Sequence, residues 1–540
     1  MSDPSRFATH AVENQPPPLA DYNAYSLDTA LSQAVAREGG SWGDSRLSAY
    51  GELVGGELLE LGFAANENKP RLKAFDRYGH RLDEVDFHPA YHRIMHLAMQ
   101  HGVHSLAWRE PRESAQVVRS ALAYLHYQAD AGSCCPLTMT YAAVPALRHA
   151  PEVAAQWLPR ITSFDYDARL LPAAQKRGCT LGMGMTEKQG GSDVRVNASR
   201  ATATADGYSI VGHKWFFSAP MSDAWLVLAQ ADAGLSCFLM PKLLPDGSRN
   251  AIRIQRLKDK LGDWSNASSE VEFQGAWAQR IGTEGRGVAT ILEMVALTRL
   301  DCMTGSAGLM RQALVQAIHH ARHRRAFGRL LVDQPLMQNV LADMALEVEA
   351  ATALAMRAAR AVDEKDGALG RLLTAVGKYW NCKRAPVLVN EAQECLGGAG
   401  YVEESILPRL YRQAPLNSIW EGSGNVQCLD VLRALSREES TREALFAELS
   451  GVRGADAVFD REAMALMADL DDASTLEQRS RALVERMALL FQAAILMRAG
   501  VSPVAEAFIA SRLGGGRGQA FGSLSGGWPF QALIDRAWPA

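Results

Sequence analysis

The sequence predicts an α+β protein: a helical N-terminal domain, a central β-domain, a second helical domain and a helical C-terminal extension. Three observations predict it. From residue 26 to about 178 apolar positions recur in threes and fours. From about 180 to 285 they alternate in short runs, and from about 286 they return to helical spacing. The expected domains are residues 1–180, 181–285, 286–440 and 441–540.

The first 25 residues are polar and carry three successive prolines, which deny them helix and leave an arm without the apolar core of a signal peptide. Asp28, Ser41 and Ser114 are placed to cap the helices that follow, and Pro136 and Pro145 mark breaks. In the β-domain AIRIQRL (251–257) alternates Ile252 and Ile254 with Arg253 and Gln255. SEVEF (269–273) alternates Val271 and Phe273 with Glu270 and Glu272, while WLVLAQ and SCFLMPK are apolar strands bounded by turn residues. Leu336, Val340, Met344 and Val348 then share one face of a long helix without proline or glycine, as in a bundle. Helix continues past residue 440 and gives way to LGGGRGQAFGSLSGG (513–527), a mobile loop by composition.

With 540 residues, 48% apolar and 21% charged, the chain has ample material for a core. A net charge of −4 provides no general attraction to nucleic acid or anionic membrane. The eight cysteines are scattered without a C-x-x-C pair, which predicts reduced thiols in a cytoplasmic protein and neither zinc nor a disulfide framework. The apolar run Met487–Met497 is interrupted by Gln492 and is too short to span a bilayer, so no membrane partner is expected.

Four separated stretches carry the chemistry. MTEKQGGSD (185–193) combines glycines that admit a ligand close to the backbone with the hydroxyls of Thr186 and Ser192; it reads as an anion-binding turn or as a glycine-rich hairpin. In GHKWFFSAP (212–220), strand alternation puts Trp215 and Phe217 on one face and Phe216 and Ser218 on the other, to pack a core or to meet a planar ring. HRRAFGRLL (323–331) offers paired guanidinium groups for a pyrophosphate, or a solvated basic helix end. ECLGGAGYVEES (394–405) has another glycine pair, sixteen residues before the lone acid of NSIWEGSGN (417–425).

In this order, T-E-x-x-x-G-S-D, G-x-K-aromatic, R-x-x-F-G, G-G-x-G-Y and aromatic-E-G resemble the acyl-CoA dehydrogenase superfamily over residues 30–440. VENQPPPL, MGMTEKQGGSD, GHKWFFS, RLKDKLG and NSIWEGSGN resemble its alkylation-response branch more narrowly, including the C-terminal extension. The resemblance implies a helical domain, a β-domain and a four-helix bundle, assembled as a homotetramer that binds FAD and an acyl-CoA-like thioester. Carried onto this sequence, it assigns Glu421 as the catalytic base that removes a proton α to the thioester carbonyl, burial beside Trp420 raising its pKa. It assigns Met185, Thr186, Gly191, Ser192, Phe216 and Ser218 to the flavin and its pyrophosphate. Arg324, Phe327 and Gln334 are assigned to FAD from a neighbouring subunit, Gly397 and Gly398 to the adenine end, and Gly422, Ser423 and Asn425 to the loop beside the cofactor. Trp264, Arg299 and Trp420 are assigned to the substrate channel.

Several positions depart from the family pattern. Lys188 replaces a proline, Phe216 the stacking tryptophan, Glu394 a glutamine and Trp264 an arginine, where a bulky indole would narrow the channel. These changes favour a weak or specialised dehydrogenation over that of an ordinary acyl-CoA dehydrogenase or oxidase. The branch also implies binding of duplex DNA through the C-terminal region. That region, from residue 440, carries ten arginines, no lysine and twelve acids; Arg512, Arg517 and Arg536 are the candidate phosphate contacts.

Overall fold

One long helix, Gly287–His323, joins a helical core to a closed β-structure. The computed structural model describes residues 7–500, 502–515 and 518–539. The N-terminal helices, among them Ala115–Ala129 and Ala131–Leu147, pack against a bundle built from Gly287–His323, Pro335–Asp363, Gly367–Leu396 and Gly424–Arg437. A single apolar core runs from Leu122 through Leu314, Leu354 and Leu373 into Leu490 and Phe508, so the C-terminal helices Leu476–Arg498 and Ser502–Arg512 are part of the bundle's own packing. No helix among the described residues is long and apolar enough to cross a membrane. All eight cysteines are free thiols and buried.

The β-strands close on themselves. Ala224–Ala231 pairs with Gly234–Pro241, which pairs with Ser268–Ile281, then Tyr208–Ser218, then Arg200–Ala203, which returns to the first strand at Arg200↔Gln230. Closure leaves few free edges. Alternation sorts the side chains: Trp225, Val227, Phe238 and Phe273 fill the interior. Leu226, Leu228 and Leu239 face a second cluster made by Ala131–Leu147 and the first turns of Gly287–His323.

Four local expectations are corrected. Residues 26–178 are not wholly helical: Arg71–Phe75 and Arg81–Asp86 form an antiparallel hairpin around Gly79, whose φ of 86° suits glycine. Its buried Asp83 accepts the Ile254 N–H at 2.8 Å, which anchors the hairpin to the strand Ile252–Leu257. Pro136 and Pro145 lie inside one helix, Ala131–Leu147, which begins where the Asp130 carboxylate caps Ser133 N at 2.9 Å; nearly every residue of that helix is buried, and packing outweighs the lost hydrogen bonds. Ser41 opens only a single 3-10 turn, and Ser114 makes no side-chain cap. The amides of Gln116 and Val117 are instead taken by the carboxylate of Asp363, a residue distant in sequence. Leu336 stands 83% exposed in the first turn of Pro335–Asp363, whereas Met344 and Val348 of the same face are buried, because the neighbouring helices cover only the later turns.

The C-terminal arginines are also corrected. Arg512 is buried between Asp343 and Glu347, with its guanidinium 3.3 Å from the Glu347 carboxylate. Burial alone would raise the Glu347 carboxyl; Arg384 and Arg512 together hold it below its ordinary range. Arg536 is forked onto Glu349 at 2.6–3.1 Å and also reaches Gln33. Each of these cations is matched by a carboxylate of its own chain and has no free charge to offer a phosphate. Arg517 lies outside the described residues. Arg512→Met is therefore expected to loosen the helix Ser502–Arg512 from the bundle and cost ~1–3 kcal/mol, because Glu347 keeps Arg384 while Asp343 loses its ion pair and keeps the Gly522 amide. Thermal and denaturant unfolding would show it.

Candidate active site

The Trp-Glu-Gly bend is held by its backbone. Glu421 has φ 58° and Gly422 φ 95°; a Cβ at Gly422 would sit 2.8 Å from Gln427 Nε2. Three long side chains donate to the two carbonyls that this turn leaves unpaired: Arg299 Nε to Glu421 O at 2.9 Å, Lys378 Nζ to Gly422 O at 2.7 Å, and Gln427 Nε2 to both. Arg299 and Arg371 are locked in turn on Asp430. Upstream, Trp420 donates Nε1–H to Asn417 at 3.0 Å, and buried Asn417 donates to Ser306 in the long helix.

The Glu421 carboxylate itself receives one hydrogen bond, from Thr298 Oγ1 at 2.7 Å. Burial pushes its pKa above the ordinary carboxylate range; the Thr298 hydroxyl and the charges of Lys378 and Arg299 act against that shift. A carboxylate so placed is a stronger base than an exposed one and can accept a proton from a carbon acid held beside it.

Trp420 packs on an apolar cluster that includes Met183, Met294, Val295 and Ala219, and Met185 and Met221 pack on the same cluster. The start of the 185–193 turn, Ala219 just after the strand Tyr208–Ser218, and the Trp-Glu-Gly bend thus border one apolar cluster. The turn is tight: Glu187 and Gly190 exchange backbone hydrogen bonds at 3.1 and 3.2 Å, and a Cβ at Gly191 would meet Thr186 Oγ1 at 2.5 Å. Ser192 is exposed. The turn is anchored by a buried ion pair, Lys214 Nζ to Glu187 Oε1 at 2.8 Å, with both side chains fully excluded from solvent. Glu187 also accepts the amides of Ala198 and Ser199, and Lys214 donates to Leu228 O. Burial alone would raise the Glu187 carboxyl; Lys214 and the donors at Ser199 and Ala198 outweigh it and hold the group down at about 2, while burial pushes the Lys214 ammonium down to about 8.

The aromatic strand does not alternate as expected. A bulge between Lys214 and Phe217 turns both of them inward, against Gly184, and turns Trp215 and Phe216 together towards the outside. Phe216 is 50% exposed, with Lys258 Nζ 4.5 Å from its ring, and Ser218 Oγ lies 3.2 Å from Ser268 Oγ.

The other expected residues lie apart. Arg325–Ala326 and Arg329–Leu330 form a two-residue hairpin with Phe327 at its tip, 98% exposed. Gln334 Nε2 holds Ala326 O at 3.0 Å, and Arg324 donates to Asn14 O at 2.6 Å, strapping the N-terminal arm to the hairpin. Gly397 (φ 61°) and Gly398 would meet no atom within 4 Å if each carried a Cβ. Ser423 is exposed ahead of Gly424–Arg437, and Asn425 Oδ1 accepts from Arg481 at 2.9 Å. Trp264 does not stand free as an obstruction: it donates Nε1–H to Lys260 O, and its indole lies between Lys69 at 3.7 Å and Arg412 at 4.0 Å. Sequence reading passed over Thr298, Lys378 and the Glu187–Lys214 pair. The pair had a signal, since both residues fall inside motifs that were singled out; Thr298 and Lys378 lie within helices and carry none.

Residues 14–168 match the adaptive response protein AidB N-terminal domain, residues 182–276 the acyl-CoA dehydrogenase middle domain and residues 285–436 the acyl-CoA dehydrogenase C-terminal domain. The Escherichia coli (strain K12) protein AidB is 50% identical over 508 residues, which cover 93% of this chain and 94% of the relative. The chain belongs to the AidB branch of the acyl-CoA dehydrogenase family. Acyl-CoA dehydrogenase family member 11 of Caenorhabditis elegans is 32% identical over 423 residues, 73% of this chain and 67% of that protein. The crystal structure of Caenorhabditis elegans ACDH-11 in complex with C11-CoA superposes with a TM-score of 0.85 at 27% identity, covering 99% of this chain and 98% of that one. Membership makes this AidB-branch chain an FAD-dependent oxidoreductase of the acyl-CoA dehydrogenase type. Its residues fit that cofactor: a half-exposed aromatic ring stands near the hydroxyl of Ser218, and the backbone at Gly190, Gly397 and Gly398 is open to close approach.

Proposed function

We propose that this protein dehydrogenates an acyl-CoA-like thioester between its α and β carbons, with Glu421 as the base. Bound FAD supplies the acceptor for the β-hydride. Glu421 takes the α-proton; Arg299, Lys378 and Gln427 hold the bend that aims it, and Trp420 with its apolar cluster excludes water from the reacting carbons. The turn at Thr186, Gly191 and Ser192 and the outward face of Phe216 and Ser218 would hold the flavin and its pyrophosphate. The observation that carries this reading is the half-buried Glu421 carboxylate, its pKa raised by desolvation and its oxygens bonded only to Thr298. Similarity to a structure that binds C11-CoA supports the substrate class.

A homotetramer accounts for Phe327 at 98% and Leu336 at 83% exposure, since apolar side chains so bare are commonly covered by a second copy. In that assembly Arg324, Phe327 and Gln334 of one subunit would complete the FAD site of another. A role in alkylation response through duplex DNA is supported by the match of residues 14–168 alone, because Arg512 and Arg536 are matched within the chain.

The test is anaerobic titration of the flavin-loaded protein with saturated acyl-CoAs of graded chain length. Loss of the oxidised flavin's visible absorption with one enoyl product per flavin is the expected result; a flavin that stays oxidised with every thioester sinks the proposal. A duplex-DNA affinity that falls steeply with salt would reinstate the nucleic-acid reading.

A further inference from the structure

A cavity of about 140 Å³ lies where the hairpin Arg71–Phe75/Arg81–Asp86, the helix Pro89–Gln100 and the β-domain meet. Glu421, Trp420, Thr298 and Phe216 are absent from its lining, and of the residues described around the candidate active site only Met221 reaches it. One wall is apolar: Phe87, Tyr91, Met95, Met99, Pro136 and Met221. Tyr166 and His92 close another side on each other, hydroxyl to Nδ1 at 2.8 Å, and burial lowers the His92 pKa, which keeps its ring neutral.

The charges on the lining are matched except for one. Arg169 is forked onto Asp167 at 2.7 and 2.8 Å. Lys176 donates to Asp223 at 2.6 Å, and Asp223 also accepts the Thr180 amide. Glu84 is paired with Arg249. Lys242 remains. Its ammonium donates to Pro220 O at 3.1 Å, and no carboxylate is in ion-pair contact with it among the described residues. A half-buried ammonium with one carbonyl for a partner has two N–H groups left to donate. Burial pushes its pKa down to about 8, with Asp223 opposing the shift, and it stays mainly charged at neutral pH.

A cavity of ~150 Å³ holds one benzene ring. We propose that this cavity binds a small monocarboxylate of about the size of benzoate, its ring or short chain against the methionine and tyrosine wall and its carboxylate on the Lys242 ammonium. A charge-assisted bond to the half-buried ammonium supplies the anchor, and the apolar lining supplies the preference for a carboxylate with a hydrocarbon body over a bare inorganic anion.

The experiment is ¹⁹F NMR titration of the FAD-loaded full-length protein with 3-fluorobenzoate, with fluorobenzene and phosphate as comparison ligands. Saturable binding of fluorobenzoate that leaves the flavin spectrum unchanged is expected, weakened at least tenfold by Lys242→Met. Met95→Trp, which fills the cavity and leaves the ammonium in place, is expected to abolish it. The proposal fails if fluorobenzoate does not saturate below ~10 mM. It fails equally if Lys242→Met or Met95→Trp binds like the parent, if fluorobenzene or phosphate binds as well as fluorobenzoate, or if binding perturbs the flavin and so belongs to the catalytic cavity.

Discussion

Glu421→Gln is expected to leave a folded, flavin-binding protein whose reduction by acyl-CoA is slowed by ~10²–10⁴-fold, the usual contribution of a positioned general base. Gln keeps the shape of the side chain and the acceptor for Thr298 Oγ1, so the bend, pinned through the carbonyls of Glu421 and Gly422, has no reason to move. What is lost is the basic lone pair. The pH dependence follows from the direction of the Glu421 shift. The group must be ionised to act, and its pKa is raised by burial, so the rate of flavin reduction should fall on the acid side at a pH above the ordinary carboxylate value of 4.5. The same shift sets the sign for stability. The fold binds this proton more tightly than the unfolded chain does, so ionising Glu421 as pH climbs from 4.5 through its folded value costs stability. Gln removes that cost, and the variant should resist unfolding at neutral pH at least as well as the parent. Stopped-flow flavin reduction over a pH series, beside a thermal melt of each protein, checks both statements. A variant reduced at the parental rate would remove Glu421 from the reaction.

Lys214→Met is expected to have the largest effect on stability. It leaves the Glu187 carboxylate enclosed in the β-domain without its cation, a loss of ~3–5 kcal/mol for a buried pair broken on one side. Because Glu187 also organises the turn that carries Thr186, Gly191 and Ser192, flavin affinity should fall with it. The Glu187 contribution is complete above its unfolded value of 4.5 and is lost as pH drops towards about 2, so the variant and the parent should converge in acid. Combining Lys214→Met with Glu187→Gln removes the orphaned charge and should restore part of the stability. Denaturant unfolding and flavin titration at neutral and acid pH make the comparison. If the single and double variants unfold alike, the pair does not anchor the turn.

The aromatic strand shows where pattern reading stops. Alternation in GHKWFFS placed Trp215 beside Phe217, but one extra residue in the pairing between Tyr208–Ser218 and Ser268–Ile281 turned Lys214 and Phe217 inward together. A bulge depends on the partner strand, and no window of one strand contains that information. Arg512 and Arg536 show the same limit for charge. Counting cations in the extension treats them as solvated, whereas folding set Asp343, Glu347 and Glu349 beside them from a helix more than 150 residues away in sequence. The hairpin at 71–86 was missed for a simpler reason: its strands are too short to stand out between strongly periodic helices, though the turn glycine Gly79 was present.

The amino-acid order by itself determined the helix–strand–helix arrangement, which rests on periodicity, and the lone acid of the Trp-Glu-Gly bend; the family and the cofactor class came from the resemblance of its short motifs to those of the acyl-CoA dehydrogenases. Only the tertiary structure decided which groups surround that acid, which arginines keep a free charge, and that Glu187 and Lys214 form one enclosed pair. Those are properties of desolvation and of contacts between distant segments, and burial of a charge beside its partner exists only once the chain has closed around both.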